Sequence, residues 1–175
     1  MITQIQGKLV EKYPTHVVVD CNGIGYEVHI SLHTFGQLPS EEAIKLYTHL
    51  LIREDAHTLY GFASHSERAL FRLLIGVSGI GASTARTMLS SLEPLQIQKA
   101  ILTEDVPTIQ SIKGIGLKTA QRVIIELLDK IKTLPEMEQI EAISGNTIKE
   151  EALSALEVLG YPRRSSETVI DNLIQ

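Results

Sequence analysis

Residues 77–89 read Val-Ser-Gly-Ile-Gly-Ala-Ser-Thr-Ala-Arg-Thr-Met-Leu, and residues 112–124 read Ile-Lys-Gly-Ile-Gly-Leu-Lys-Thr-Ala-Gln-Arg-Val-Ile. The two stretches align without gaps, 35 residues apart, and share the pattern apolar-x-Gly-Ile-Gly-x-x-Thr-Ala. Apolar residues at helical spacing run from about Ser66 to Ile131, with glycine-containing breaks at 76–81 and 114–116. Each stretch therefore follows one short helix and opens another, and the repeat predicts two helix-hairpin-helix units in tandem.

The residue types of this repeat suit contact with a phosphate. A Gly-x-Gly turn lets the backbone approach a phosphate with no Cβ in the way. Amides at the start of the next helix then point at the phosphate oxygens, and the helix dipole favours the negative charge. We expect Ile80 and Ile115 to be buried between the helices of each unit, and Ala85 and Ala120 to let those helices pack closely. Paired units of this kind are expected to hold the two backbones of a DNA duplex without reading its sequence.

The repeat also fits two interpretations that do not involve DNA. Gly-Ile-Gly occurs in dinucleotide-binding folds, but Thr84 and Thr119 stand where that motif needs Gly or Ala, and a helix precedes them instead of a strand. Both copies could instead be structural turns that bind nothing, with solvated cationic side chains. Two copies in a basic segment favour DNA. The residues predicted to bind it are Gly79, Gly81, Ser83, Thr84, Arg86, Lys113, Gly114, Gly116, Lys118, Thr119 and Arg122.

Charge is distributed unevenly along the chain, whose 175 residues have a net charge of −5. Residues 64–132 hold 9 basic and 6 acidic side chains, residues 1–63 hold 4 and 7, and residues 133–175 hold 3 and 8. Because a phosphate responds to local and not to total charge, the basic middle segment is the part predicted to meet nucleic acid.

The first 63 residues show the alternation of β-strands. Strand-like runs occur at residues 5–10, 16–21, 24–30, 44–52 and 58–62, with a short helix near 31–35. Asn22-Gly23 joins the second and third runs and is a strong signal for a two-residue hairpin. Five short strands with one small helix predict a barrel of the OB type, and a fragment of a β-sandwich is the alternative.

The predicted class is α+β and multidomain. Residues 134–146 are acidic and lack a sustained period, so they are interpreted as a linker. Thr147 and Glu150 form a capping box at the start of a final helical unit, with a second helix near 165–174. The predicted domains are an OB-fold barrel (1–63), a tandem helix-hairpin-helix domain (64–132), a flexible acidic linker (133–146) and a small helical domain (147–175).

The composition suits a protein of the cytoplasm. The one cysteine, Cys21, cannot form an internal disulfide and has no cysteine neighbours for a metal site. The first residues do not begin an export signal, and no apolar run is long enough to cross a bilayer. The sequence contains no Walker A motif, so an ATPase would have to be a partner protein, and we expect neither a cofactor nor a metal.

The order of these segments and several short strings resemble the RuvA family of Holliday-junction branch-migration subunits over essentially the whole chain. The strings are Asn22-Gly-Ile-Gly-Tyr26, Leu46-Tyr-Thr-His-Leu50, Arg53-Glu-Asp-Ala-His57, Leu59-Tyr-Gly-Phe62, the two hairpins and Glu151-Ala-Leu…Leu-Gly-Tyr161. The resemblance implies a non-catalytic homotetramer, or an octamer on DNA, that holds a four-way junction open during recombination and DNA repair. It also implies a RuvB-type AAA+ ring ATPase and a RuvC-type resolvase as partners. Glu54 and Asp55 would form an acidic pin at the junction centre.

Two positions depart from the family pattern. Ser83 stands where the family usually carries a lysine, so the first hairpin is expected to depend more on backbone amides. The family's last domain is UBA-like and has three helices, whereas here the tail looks truncated after about two. The apolar positions that the family uses to hold the motor correspond to Leu156, Leu159 and Tyr161.

From the residues alone, without the resemblance, Glu54 and Asp55 are an acidic turn between two strands.

Two functions of other kinds compete with junction binding. A structure-specific nuclease or glycosylase would also use hairpins to hold DNA, and nucleases commonly need clustered carboxylates for metals. The acidic pairs here, such as Glu41-Glu42 and Glu104-Asp105, fall at predicted loops and helix starts. A protein-interaction scaffold would use both hairpins only as structure. No catalytic residue is predicted.

Overall fold

The computed structural model describes residues 1–39 and 43–132. This part of the chain contains five strands and six helices. The strands are β1 (Gln4–Lys12), β2 (His16–Cys21), β3 (Ile24–Ile30), β4 (Ala43–Ile52) and β5 (His57–Phe62). The helices are α1 (Leu32–Gln37), α2 (His65–Ile75), α3 (Ala82–Ser91), α4 (Pro94–Leu102), α5 (Val106–Gln110) and α6 (Leu117–Lys132). Each predicted strand is present and begins and ends close to its expected bounds.

The five strands close into a barrel in the order β1-β2-β3-β5-β4, which confirms the predicted OB-type barrel. β3 pairs with β5 in parallel, and the other neighbouring strands are antiparallel. Alternation along β2 places Val17 and Val19 in the core, whereas Val18 between them is only partly covered. Asn22 and Gly23 have φ values of 56° and 91°, the left-handed pair that a two-residue hairpin requires.

The helices pack around a second apolar core. Its fully buried side chains include Leu70, Leu74, Ile97, Ile101, Ile109 and Leu127. Helix α6 contributes a continuous apolar stripe, because its buried residues recur at the three- and four-residue spacing of one helix face. This stripe fixes the orientation of α6 and therefore of the turn that precedes it.

Barrel and helices form one compact unit, Met1–Lys132, and α2 lies at their boundary. The ring centroid of Phe71 lies 4.9 Å from that of Phe62 and 5.1 Å from that of Tyr60. The buried carboxylate of Glu67 accepts hydrogen bonds from the hydroxyls of Ser31 and Thr34. Because a buried carboxylate is costly without such donors, these bonds fix α2 against α1.

Several predictions fall on residues that the structure does not describe. The linker, the final helical domain, its capping box and the positions Leu156, Leu159 and Tyr161 all lie outside residues 1–39 and 43–132. Within those two ranges, no helix has the length and apolar character to span a membrane.

Candidate nucleic-acid interface

The first repeat forms the turn between α2 and α3. Gly79 has a φ of +93°, a conformation that residues with side chains rarely adopt, and Gly81 precedes α3 in an extended conformation. The amide of Ile80 donates to the carbonyl oxygen of Val77 at 3.0 Å. Ile80 and Ala85 are buried, as the sequence predicts.

The second repeat forms the same turn between α5 and α6. Gly114 has a φ of +90°, and the amide of Ile115 donates to the carbonyl oxygen of Ile112 at 3.1 Å. Ile115 and Ala120 are buried, like their counterparts in the first repeat. The repeat in sequence is therefore a repeat in backbone structure.

The helices that follow the two turns begin without a side-chain cap. Helix α3 begins after Gly81 and receives no side-chain hydrogen bond in its first turn. Helix α6 begins after Gly116, which has no side chain to offer. By contrast, Ser31, Ser64 and Asp105 each accept a first-turn amide of α1, α2 and α5. The starts of α3 and α6 thus present backbone amides and the positive end of a helix dipole to an approaching anion.

Gly81 and Gly116 leave open space where a side chain would begin. A Cβ built on either residue would meet no heavy atom of the described chain within 4 Å. Neither has the positive φ of Gly79 or Gly114. The fold itself therefore has room for a side chain at both positions.

The two turns share their backbone but differ in charge. Lys113 and Lys118 are exposed on the second repeat, and the equivalent positions of the first are the exposed Ser78 and Ser83. Thr84 and Thr119 follow, half-buried, in their respective helices. Any cation at the first turn therefore comes from another part of the chain.

Arg122 brings that cation from α6. Its Nη1 donates to the carbonyl oxygen of Ser78 at 3.1 Å, and its Nε lies 4.0 Å from Oε1 of Glu126. Half of the Arg122 side chain remains exposed to solvent. The guanidinium is thus held at the first turn by a residue of the second repeat.

Arg86 is directed towards the barrel. Its Nη1 donates to the carbonyl oxygen of Thr15 at 3.1 Å and to Nδ1 of His29 at 3.3 Å. Burial, and then the charge of Arg86, lower the pKa of His29 below its ordinary value. The sequence groups Arg86 with the cations predicted to bind DNA, and in the structure its side chain is engaged with β3 and with the turn before β2.

Sequence reasoning missed three residues that the structure brings into this surface: Ser78, Thr15 and His29. Ser78 and Thr15 act through backbone carbonyl oxygens, which every residue type carries, so no sequence pattern marks them. His29 meets Arg86 across 57 residues of chain. Only the packing of α3 on the barrel could have identified that pair.

The acidic pair Glu54-Asp55 lies in the turn between β4 and β5. The amide of Arg53 donates to the carbonyl oxygen of Ala56 at 2.9 Å and closes the turn, and both acidic residues are exposed. Within residues 1–39 and 43–132, no three His, Cys, Asp or Glu side chains come together as a metal site.

A closed five-stranded barrel followed by two matched glycine turns defines a barrel and tandem helix-hairpin-helix protein. Comparison with known families agrees with this class. Residues 1–61 match the family described as RuvA N terminal domain, and residues 71–129 match the SAM-like Helix-hairpin-helix tandem.

The chain belongs to the RuvA family. It is 62% identical over 174 residues to the Holliday junction branch migration complex subunit RuvA of Flavobacterium psychrophilum, covering 99% of this chain and 90% of that protein. The subunit of the same name from Christiangramia forsetii is 57% identical over 175 residues, covering 100% and 91%. That of Laribacter hongkongensis is 40% identical over 182 residues, covering 99% and 90%. These names do not support the nuclease or glycosylase alternative.

Proposed function

We propose that this chain is the DNA-binding subunit of a Holliday-junction branch-migration complex and catalyses no reaction itself. The observation that carries the proposal is the pair of Gly-Ile-Gly turns, each opening a helix that has no side-chain cap. Its relatives at up to 62% identity bear the name of that subunit. We place its work in the cytoplasm, during recombination and DNA repair.

The two turns would hold the two backbones of a duplex arm. Amides that follow Gly81 and Gly116, at the helix starts, would donate to phosphate oxygens, and Gly79 and Gly114 would let the backbone of each turn approach the phosphate. The hydroxyls of Ser83, Thr84 and Thr119 add donors, and Lys113, Lys118 and Arg122 add charge. Contacts of this type position a protein on DNA and carry no sequence information. Binding should therefore depend on the shape of the DNA and on salt.

The barrel, residues 1–63, would assemble four copies around the junction and present the acidic turn at its centre. A tetramer would bring eight carboxylates from Glu54 and Asp55 together, facing the phosphates of four strands. Repulsion between two charges about 6 Å apart in water is only ~0.7 kcal/mol, so a single carboxylate has little effect. The summed repulsion between all eight carboxylates and the phosphates would be large enough to matter. Its effect is selective, because a continuous duplex would place phosphates against the acids and an open junction would not.

The remaining residues would connect the DNA-binding part to a motor. We propose that the acidic linker 133–146 tethers the helical domain 147–175, and that Leu156, Leu159 and Tyr161 of this domain contact a RuvB-type AAA+ ATPase. A RuvC-type resolvase is the second proposed partner, and an octamer on DNA the proposed larger assembly. Truncation after Leu134 should leave junction binding intact and abolish ATP-driven branch migration. Loss of junction binding in the truncated chain would contradict this division.

The proposal is tested by a gel shift that compares a four-way junction, a linear duplex of equal length and a single strand, without Mg²⁺ and then with it. We expect the junction to be bound most tightly and to stay uncut. Equal affinity for all three forms would contradict junction recognition, and cleavage with Mg²⁺ would show an enzyme.

A further inference from the structure

Helix α3 is hydrogen-bonded at two successive turns, first to the barrel and then to the start of α1, which follows β3. Arg86 donates from Nη1 to the Thr15 carbonyl and to Nδ1 of His29, at 3.1 Å and 3.3 Å. One turn later, the hydroxyl of Ser90 accepts the backbone amide of Leu32 at 3.0 Å. The same helix carries the uncapped amides of the first glycine turn, so these bonds determine where that turn lies relative to the barrel.

The second repeat has no counterpart to this fastening within the described residues. Gln121 occupies the position equivalent to Arg86 and is exposed. The two repeats have matching turns but different residues at this position. If both helices bound a phosphate through this position, the same type of residue would be expected in both. The different residue types are explained by packing, because α3 contacts the barrel through this position.

We propose that Arg86 is a positioning residue rather than a phosphate ligand, and that it sets the first hairpin at a fixed angle to the barrel only while His29 is neutral. The inference rests on the proposed function, since it concerns how the hairpins and the acidic turn are aligned on one junction. Binding of a linear duplex needs only the hairpins, whereas binding of a junction needs the hairpins and the barrel at a fixed relative position. The bond from Arg86 should therefore affect the preference for junctions more than the affinity for duplex.

The surroundings of His29 explain why its protonation matters. Nδ1 must keep its lone pair to accept from Arg86, so the ring proton is assigned to Nε2, which lies 3.7 Å from Oε1 of Glu27 on the same strand. The other groups that face the ring are His16 of β2 and Tyr60 of β5. A second proton would place two positive charges against each other at the Arg86 contact.

The direction of the pH effect follows from the lowered pKa of His29. Burial is the largest cause, followed by the charge of Arg86 and opposed by Glu27. Because the folded state disfavours the protonated ring, the fastening contributes fully above the ordinary histidine pKa of about 6.5 and is lost as the pH falls through the lower, folded value.

The first experiment uses no DNA, so that its result is independent of the proposed function. The pKa of His29 is measured by NMR in the full chain and in Arg86→Gln, which copies the residue of the second repeat. We expect the pKa of His29 to rise in the variant, because a neighbouring positive charge has been removed. An unchanged pKa of His29 would overturn the inference even if the protein binds junctions.

The second experiment measures the ratio of the duplex dissociation constant to the junction dissociation constant, from about pH 7.5, above the ordinary histidine pKa, down through the pKa of His29 found in the first experiment. We expect the ratio to fall towards acid pH in the full chain and in the control His33→Asn, whose ring is bonded to Gln37 of α1. It should stay constant in His29→Asn, whose Oδ1 can accept from Arg86 without titrating. A ratio that falls equally in His29→Asn would overturn the inference.

The third experiment separates positioning from phosphate contact. If Arg86 bound a phosphate, Arg86→Gln would weaken junction and duplex alike and reduce the salt slope by about 0.9. We expect instead an unchanged slope for duplex and a reduced preference for junctions that no longer depends on pH. A salt slope reduced by about 0.9, the value of one phosphate contact, would show that Arg86 is a phosphate ligand and would contradict the proposal.

Discussion

Nη1 of Arg122 lies 3.1 Å from the carbonyl oxygen of Ser78, so a side chain of the second repeat holds the turn of the first. The first turn has no cation of its own, because Ser78 and Ser83 occupy the positions of Lys113 and Lys118. The bond therefore places a positive charge at the first turn and also joins the two elements that we propose to hold the two DNA backbones.

Replacing Arg122 tests both roles. In Arg122→Lys the charge remains but the planar donor fork is lost, whereas Arg122→Ala removes both. We expect Arg122→Ala to reduce the salt slope of duplex binding by about 0.9, and Arg122→Lys to keep most of the slope while binding more weakly than the unaltered chain. Fluorescence anisotropy over a salt series gives both quantities. A slope unchanged in Arg122→Ala would remove this residue from the DNA contacts.

Lys118 should act as a simple phosphate contact. It is exposed beside the second glycine turn, where its ammonium group is open to an approaching anion. Lys118→Ala is expected to weaken binding to all duplex sequences about equally and to reduce the salt slope by about 0.9. The matched control is Lys99→Ala, which removes an exposed lysine of α4 outside both repeats. Equal effects of the two substitutions would mean that only overall charge matters.

The buried carboxylate of Glu67 should contribute strongly to stability. Glu67→Ala would leave the hydroxyls of Ser31 and Thr34 without their acceptor, and buried polar groups of this kind cost about 1–3 kcal/mol each. We expect a loss of about 3 kcal/mol in the free energy of unfolding, measured by urea denaturation. Glu67→Gln retains one acceptor oxygen and should lose less. Similar losses in the two variants would show that the hydrogen bonds are not the cause.

The acidic turn should weaken duplex binding and thereby favour junctions. Glu54→Gln combined with Asp55→Asn removes two exposed carboxylates without changing the size of either side chain. We expect tighter binding to linear duplex at low salt, where repulsion is least screened, and a smaller preference for junctions. Asp129→Asn, on the exposed face of α6, controls for a general change in charge. Unchanged duplex affinity at low salt would make the pair an ordinary turn.

The sequence predicts the structural features that are determined by residues close together in the chain. Alternation located the five strands, and Asn22-Gly23 marked its hairpin because few other residue pairs adopt two positive φ values. The Gly-Ile-Gly repeat predicted both turns and the burial of Ile80 and Ile115. In each case the signal lies within a few residues of the feature it predicts.

What the sequence does not predict depends on contacts between distant segments. Arg86 stands in the repeat like a phosphate ligand, and its hydrogen bond to His29, which is distant in sequence, could not be predicted. Glu67 looks like a solvated residue in the first turn of a helix, yet the closure of α1 over α2 buries it completely. Neither contact leaves a periodic or local signal.

The most direct measurement compares junction binding by the unaltered chain and by Gly81→Ala combined with Gly116→Ala. Both glycines have open space for a Cβ and no positive φ, so the double variant should unfold at nearly the same urea concentration as the unaltered chain. If phosphates approach these turns, the added methyl groups should reduce affinity for four-way junctions and duplexes at least tenfold, about 1.4 kcal/mol. A double variant that folds normally and binds junctions with undiminished affinity would contradict the proposal that the glycine turns hold the DNA.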